Sequence, residues 1–267
     1  MTLTTLEITN NIKQRQAMKN KIAIGVIFLA TYLGFLIATL PTTVVLNQVS
    51  LPKSIQLSGV SGSVWSTTIE QAAIGGTRIQ QLNTELSFWS LFSLSPTLAI
   101  TFGYEFIAGP EGKFEVALST DKAEINDLHV LVKANEIAQQ LTLPLPISAQ
   151  GDVALTLVNA QIDLTKNNQC IAAKGTAHWS KAGVVALEQN IKLGKLDADI
   201  ECEDGALALI LSPKNDLGLT FNAYVRQGGN ISGNGYLKPG AKFPQALNDA
   251  LPFLGRKDSK GRYRLSF

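Results

Sequence analysis

The hydrophobic pattern of the chain begins with one long apolar segment, Ile22–Leu40, which holds no charged residue. As a helix, its nineteen residues would extend about 28 Å, close to the hydrocarbon thickness of a bilayer. Four basic residues precede it between positions 13 and 21, whereas the next basic residue is Lys53. Basic residues flanking a span remain preferentially in the cytoplasm. The pattern therefore predicts a membrane anchor with a cytoplasmic N-terminus.

A cleaved signal peptide is the alternative interpretation of this segment. Signal peptides have shorter apolar cores, about 7–15 residues, that end at a small-x-small cleavage site. Ile22–Leu40 is longer and runs into Ala-Thr-Leu-Pro. We therefore predict residues 1–20 as a loosely ordered cytoplasmic tail and residues 21–46 as a retained transmembrane anchor with its exit.

Beyond the anchor, apolar residues recur with a period of two, which is typical of half-buried antiparallel strands. In the clearest run, Leu196, Ala198, Ile200 and Cys202 alternate with four acidic residues. Further alternating runs cover residues 82–88, 98–106, 114–118, 153–157, 207–211 and 219–225. The predicted fold class is mainly β: a single N-terminal transmembrane helix followed by an antiparallel, β-rich periplasmic domain.

Two short segments interrupt the alternation. Lys133–Leu141 has apolar residues at helical spacing, and Pro244–Leu251 offers a second short helix. The first ends before Leu143-Pro144-Leu145-Pro146, whose prolines favour an extended link. We therefore predict two periplasmic β units, residues 47–143 and residues 144–267.

The two units share a short similarity that suggests an internal duplication. Gly62–Ser66 reads GSVWS, and Gly175–Ser180 reads GTAHWS. An alternating run begins at the same distance after each tryptophan, at Leu82 and at Leu196. Tandem β units of this kind bury surfaces against each other. Trp65, Trp89 and Trp179 are the residues that we expect to anchor a core or an interface.

The charge of the chain supports the predicted membrane orientation but indicates no further function. The whole chain has a formal net charge of +2. Once the four basic residues before the anchor and Glu7 are left out, 19 basic residues stand against 20 acidic ones. A near-neutral exported part gives no electrostatic footprint for nucleic acid.

Cys170 and Cys202 are the two cysteines of the chain, and both follow the anchor. An oxidising compartment permits a disulfide between them. Zinc binding is the competing interpretation, but two cysteines 32 residues apart without a neighbouring histidine make a poor zinc site. We predict the disulfide.

The sequence offers little catalytic chemistry. Neither His129 nor His178 has an acid, a nucleophile or a ligand at motif spacing. There is no G-x-S-x-G elbow and no G-x-x-x-x-G-K-[ST] phosphate loop. We therefore predict no catalytic, cofactor-binding or metal-binding residues, no cofactor and no small-molecule substrate.

Several segments together resemble one protein family. They are the basic lead with its span ending at Pro41, the segment Leu57–Trp65, the cysteine pair with Gly175–Trp179 after the first cysteine, and the ending Gly261–Leu265. In this order the chain resembles protein N of the type II secretion system, a bitopic inner-membrane family with a periplasmic β-rich domain. The residues before Met18 depart from the compact start of that family.

The resemblance implies a non-enzymatic role in the export of folded periplasmic proteins across the outer membrane. It also implies the inner-membrane platform proteins C, L and M as partners, and it supplies no catalytic residues. An anchored periplasmic protein whose β units form a lipid-handling groove is the alternative. The two differ in whether inward faces such as Leu98–Phe102 and Leu219–Phe221 close on each other or line an open trough. An exported enzyme with a cleaved signal is a third, weaker candidate.

Overall fold

The computed structural model describes residues 3–48, 52, 55–74, 77–104, 109–140, 148–186, 189–226 and 230–266. Over these residues the helices are α1 (Leu3–Ala38), α2 (Thr42–Leu46) and α3 (Ala134–Gln140), with 3-10 segments at Trp89–Leu91 and Gln245–Leu254. The predicted link Leu143–Pro146 and the predicted strand residue Phe106 lie outside the described residues.

Helix α1 contains the predicted anchor and is longer than the apolar segment. It begins at Leu3, so the described part of the predicted loose tail is helical. Its stretch Lys19–Ala38 is long and apolar enough to cross a membrane, by length and composition, and none of it is buried against the rest of the protein. Apolar side chains such as Phe28 and Phe35 are exposed, as expected of a helix whose solvent is lipid.

The strands follow one another along the chain. They are β1 (Ile55–Ser63), β2 (Ser66–Ile74), β3 (Thr77–Leu86), β4 (Thr97–Phe102), β5 (Glu111–Leu118), β6 (Lys122–Lys133), β7 (Ser148–Asp163), β8 (Gln169–Ala186), β9 (Gln189–Lys192), β10 (Leu196–Glu203), β11 (Ala206–Leu211), β12 (Leu219–Val225), β13 (Ile231–Leu237) and β14 (Tyr263–Ser266).

These strands form one antiparallel sheet. Its order is the order of the chain, except that β9 pairs only with β8, and β8 also pairs with β10. This arrangement confirms the predicted antiparallel β-rich fold class. Strand β6 pairs with β7 from Lys122 opposite Asp163 to Lys133 opposite Asp152. The sheet therefore continues past the proposed boundary at residues 143–144, and the division into two units stays a prediction.

Burial follows the predicted alternation where the pattern was clearest. In β10, Leu196, Ala198 and Ile200 are buried, whereas Asp199 and Glu201 are exposed. The first short helix is observed as α3 and the second as the 3-10 segment Gln245–Leu254. Pro252 lies inside the second, and its ring would clash with the carbonyl four residues earlier in an α-helix, which disfavours α geometry there.

The two similar segments, Gly62–Ser66 and Gly175–Ser180, hold different positions in the sheet. Trp65 lies in the tight turn between β1 and β2, whereas Trp179 lies within β8. Gly62 has φ 95° beside the turn, whereas its counterpart Gly175 lies inside β8 without a positive φ. The similarity therefore does not mark equivalent strands.

The predicted disulfide is present. Cys170 at the start of β8 and Cys202 near the end of β10 have Cα atoms 5.5 Å apart. The ladder between these strands runs from Leu196 opposite Trp179 to Ile200 opposite Gly175. The disulfide lies beyond the last of these pairs, so it ties β8 to β10 where their backbone pairing has ended.

The core is divided and leaves part of the sheet uncovered. One buried cluster, which includes Phe243, Leu251 and Tyr263, lies where the C-terminal 3-10 segment covers β8, β9 and β10. A second cluster around Ala177 and Ile200 lies in the middle of the sheet. Among the described residues, no large hydrophobic side chain is less than 2% exposed. A single sheet with few covering elements accounts for this shallow core.

Candidate functional site

An apolar trough of about 480 Å³ opens on one face of the sheet. Its lining comes from α3 and from strands β7, β8, β10, β11 and β12. This volume falls in the range of small-molecule sites, about 300–1,000 Å³. Strands far apart in the sequence thus combine into one continuous apolar surface.

Alanines form the floor of the trough. Ala149, Ala177 and Ala198 are all buried and all line it. Ala177 of β8 pairs directly with Ala198 of β10, so two methyl groups stand side by side where larger residues would fill the space. The small floor residues are therefore the reason that the trough exists.

Larger side chains form its walls. Leu219 and Phe221 of β12 line it and are half-buried. They do not close against the predicted inward face of β4, Leu98–Phe102, whose residues are half-buried or exposed and lie outside the lining. Of the two faces predicted to point inward, that of β12 therefore lines an open trough and does not pack against that of β4.

Trp179 contributes an apolar surface to the trough because its polar atom is already bonded. Its indole Nε1 donates a hydrogen bond to the backbone carbonyl of Gln150 at 2.8 Å. A buried indole N–H without such a partner would be costly. With the bond made, the ring presents carbon atoms to the cavity.

Helix α3 is fastened along one wall. The Asn135 side-chain oxygen accepts a hydrogen bond from the Ala149 backbone N–H at 3.2 Å. Lys133 Nζ lies 2.6 Å from Asp152 Oδ1 at the start of the helix. These contacts hold the seven-residue helix against β7, and its Ile137 lines the trough while remaining partly exposed.

The opposite face of β8 and β10 carries a hydrogen-bonded pair, His178 and Asp197, that the sequence did not reveal. His178 Nδ1 lies 2.5 Å from Asp197 Oδ1, and Lys195 Nζ lies 3.0 Å from Asp197 Oδ2. The hydrogen bond with His178, followed by that with Lys195, lowers the pKa of the Asp197 carboxyl below its ordinary value. Side chains alternate along a strand, so the pair faces away from the trough floor. The two residues are 19 apart in the sequence. They become neighbours because Asp197 of β10 pairs with His178 of β8 in the sheet.

A second notable region joins the end of α1 to the sheet, and we call it the junction. Trp65 Nε1 donates to the Ile37 carbonyl at 2.9 Å, and the Val64 N–H donates to the Leu40 carbonyl at 3.0 Å. The hydroxyls of Thr42 and Thr67 are 2.6 Å apart. The last turn of the apolar helix is thereby bonded directly to the β1–β2 hairpin.

The C-terminal motif has a structural explanation. Asp258 Oδ1 accepts hydrogen bonds from the backbone N–H groups of Lys260 and Arg262, each at 2.9 Å. Its Oδ2 accepts from the Arg262 side chain. This turn sets Arg262 over the Tyr236 ring at 3.9 Å and directs Tyr263 into the core. The segment Gly261–Leu265, which resembles the family's ending, therefore leads into β14, the last strand of the sheet.

We expect Asp258→Asn to lower the thermal stability of the full chain at neutral pH. The Arg262 N–H is the largest cause of the lowered pKa of Asp258. A carboxyl with a lowered folded-state pKa stabilises the fold above its unfolded pKa, about 3.9, and loses that effect as the pH falls through the folded value. The difference from wild type should therefore shrink as the pH falls below about 4.

Melting curves between pH 3 and 7 measure this effect. Asp249→Asn, in the exposed part of the 3-10 segment, is the matched control and should change the melting temperature little. An Asp258→Asn penalty that stayed constant at the acid end of the series would contradict the electrostatic explanation.

The two regions, trough and junction, define a class of protein: a large antiparallel sheet fastened to the end of one apolar N-terminal helix. The sequence profile of the family described as Type II secretion system (T2SS), protein N, matches residues 53–266. The chain belongs to this family, which confirms the resemblance seen in its motifs. Its members are components of a protein secretion system.

Individual relatives cover nearly the whole chain. Type II secretion system protein N of Aeromonas hydrophila is 30% identical over 94% of this chain and 98% of its own length. The proteins of the same name from Vibrio cholerae and Klebsiella pneumoniae are 25% and 28% identical, each over 92% of this chain and over 97% and 94% of their own lengths. No solved structure matches the chain.

Proposed function

We propose that this type II secretion component is a single-pass inner-membrane protein, with its N-terminus in the cytoplasm and its β-sheet in the periplasm. Four basic residues precede the apolar part of α1, and none follows it before Lys53. The positive-inside bias supports this orientation. Membership in the secretion family over residues 53–266 is the observation that carries the functional assignment.

The junction supports a retained anchor over a cleaved signal. Ile37 and Leu40 both accept hydrogen bonds from the β1–β2 hairpin. Cleavage after Ala38 would remove the Ile37 carbonyl and leave the Trp65 indole N–H without this partner. A helix whose end is part of the folded domain is an anchor with a fixed angle to the sheet.

The proposed role is non-enzymatic: the sheet acts as a scaffold that assists the export of folded periplasmic proteins. The hydrogen-bonded pair of His178 and Asp197 has side chains that are 46% and 41% exposed, so its contribution is that of a surface contact. We propose the platform proteins C, L and M as partners. The outer sheet faces and the 3-10 segment after Pro244 are the proposed contact surfaces.

Site-specific photo-crosslinking in living cells tests this assignment. Phe253 on the 3-10 segment and Val158 on β7 are both exposed apolar residues, and each is replaced in turn by a photoreactive residue in a tagged full chain. We expect at least one of the two positions to capture C, L or M, identified by mass spectrometry. Lys166, exposed in the β7–β8 turn, is the control position and should capture none.

Capture of no platform protein from either position, at native expression and in secreting cells, would contradict the scaffold proposal. Equal capture from Phe253, Val158 and Lys166 would indicate random encounters and would contradict the proposed contact surfaces.

A second candidate function is lipid handling, and the trough is the specific observation that favours it. Its walls are apolar side chains of β11 and β12, and its floor is alanine. An open apolar cavity suits an acyl chain, since each buried methylene contributes about 0.8 kcal/mol. The two functions are compatible, because a scaffold can also carry a lipid.

A further inference from the structure

The connection between β3 and β4 is an uncharged and largely apolar segment. Residues 87–96 read SFWSLFSLSP, and we call them the aromatic loop. The apolar alternation of β3 continues in sequence to Phe88, but the strand ends at Leu86. From Leu86 to Tyr104 the chain has no charged residue. Loops of soluble surfaces are usually rich in charge, so this composition indicates an unusual environment.

The apolar side chains of the aromatic loop point outward. Trp89 is 79% exposed, Phe92 71% and Leu94 83%. Phe88 packs edge-to-face on Trp89 and Phe92, with ring centroids 5.8 and 5.4 Å apart. The result is a contiguous exposed aromatic patch, which marks an interaction surface.

Two of the serine hydroxyls and four of the backbone N–H groups of the same loop are bonded within it. The hydroxyl of Ser90 donates to the Ser87 carbonyl at 2.6 Å, and that of Ser93 donates to the Ser90 carbonyl at 2.7 Å. Backbone N–H groups of residues 91–94 each donate to the carbonyl three residues earlier. A segment that enters a medium poor in water needs this internal satisfaction of its polar groups.

The position of the loop identifies that medium. Phe88 packs against Trp65 with ring centroids 5.2 Å apart, and Trp65 is bonded to the Ile37 carbonyl at the end of α1. The patch therefore lies one side chain away from the point where the apolar helix ends. If α1 crosses the membrane as proposed above, the loop lies at the level of the periplasmic headgroups.

We propose that the aromatic loop is a second membrane contact, in which Trp89, Phe92 and Leu94 insert into the periplasmic leaflet beside the exit of α1. Tryptophan favours this boundary because its ring is amphipathic. The sheet would then contact the membrane at two points: the helix α1, and the loop that is linked to it through Trp65. Two points of contact restrict the angle between the sheet and the membrane more than one does. This inference rests on the proposed inner-membrane anchoring.

Depth-dependent fluorescence quenching tests the proposal on the full chain. Phe28→Cys in the span, Phe92→Cys in the loop and Ile231→Cys at the far end of the sheet each carry one environment-sensitive label. Phe92 and Ile231 are matched exposed apolar residues, and both native cysteines are in the disulfide. The proteins are reconstituted into phosphatidylethanolamine and phosphatidylglycerol vesicles with or without brominated acyl chains.

We expect brominated lipid to reduce the fluorescence of the labels at positions 28 and 92 and to leave that at position 231 unchanged. No quenching at position 28 would overturn the anchoring itself. Quenching at position 28 with no more quenching at 92 than at 231 would overturn the loop contact alone, and would indicate that the patch binds a protein absent from the vesicles. A label at Trp89→Cys repeats the measurement at a second exposed position, so a local defect of one variant cannot decide the result.

Discussion

Removal of the disulfide between Cys170 and Cys202 is expected to lower the free energy of unfolding by about 3–4 kcal/mol. The bridge spans 32 residues, and on the chain-entropy model a cross-link of this loop length restricts the unfolded chain by that amount. For a domain of this size the loss corresponds to a melting temperature lower by about 7–15 °C.

Thermal unfolding of the full chain in detergent, with three variants, measures this prediction. Cys170→Ala, Cys202→Ala and the double variant should lose the same amount, because each of them lacks the bridge. Reduction of the wild-type protein should reproduce that loss. Single losses that add up in the double variant would mean that the two side chains stabilise the protein by independent packing. Complete alkylation of the native protein without reductant would contradict the bridge itself.

The features that the sequence predicted are those in which a local pattern carries the information. The alternation of Leu196, Ala198 and Ile200 is a property of one strand, and its burial follows from it. The apolar segment of α1 is likewise visible without knowledge of its neighbours. The cysteine pair was predictable because the expected oxidising compartment permits a disulfide and two distant cysteines make a poor metal site.

The sequence raised an open trough as an alternative, but the residues that form its floor, and the aromatic loop, were not predictable for a physical reason. Ala177 and Ala198 become neighbours only when β8 pairs with β10 in one register, and a shift of one strand by one residue would turn its alanine to the opposite face. Phe88 continues the alternation of β3 in the sequence, yet it lies in the exposed loop beyond the strand. Trp65 was expected in a core or an interface, but its contact with Ile37 depends on the tertiary position of α1.

Filling the floor of the trough is expected to abolish lipid binding, if the trough holds an acyl chain. The double variant Ala177→Phe and Ala198→Phe places two rings at a directly paired position of β8 and β10, where both alanines line the cavity. Excluding even two methylene groups costs about 1.6 kcal/mol of binding free energy, which is more than a tenfold loss of affinity.

A matched control exists on the same two strands. Thr176 and Asp199 form the adjacent pair between β8 and β10, and both are exposed on the face opposite to the trough. The double variant Thr176→Phe and Asp199→Phe adds the same two rings to the same strands and leaves the cavity unchanged. The comparison controls for the addition of two rings to these strands. Because Ala177 and Ala198 are buried, a thermal unfolding curve of the inner double variant must also show that the overpacked sheet keeps its fold.

Lipid extracted from the purified full chain and quantified by mass spectrometry decides between the outcomes. The wild-type protein and the outer double variant should carry about one lipid per chain after detergent exchange, and the inner double variant less than a tenth of that. Equal lipid in the two double variants would assign the bound lipid to the span α1 or to the aromatic loop, both of which remain intact. A wild-type protein free of lipid would reject lipid handling and leave the trough as a surface for a protein partner, because apolar walls that bind no lipid still gain from being covered.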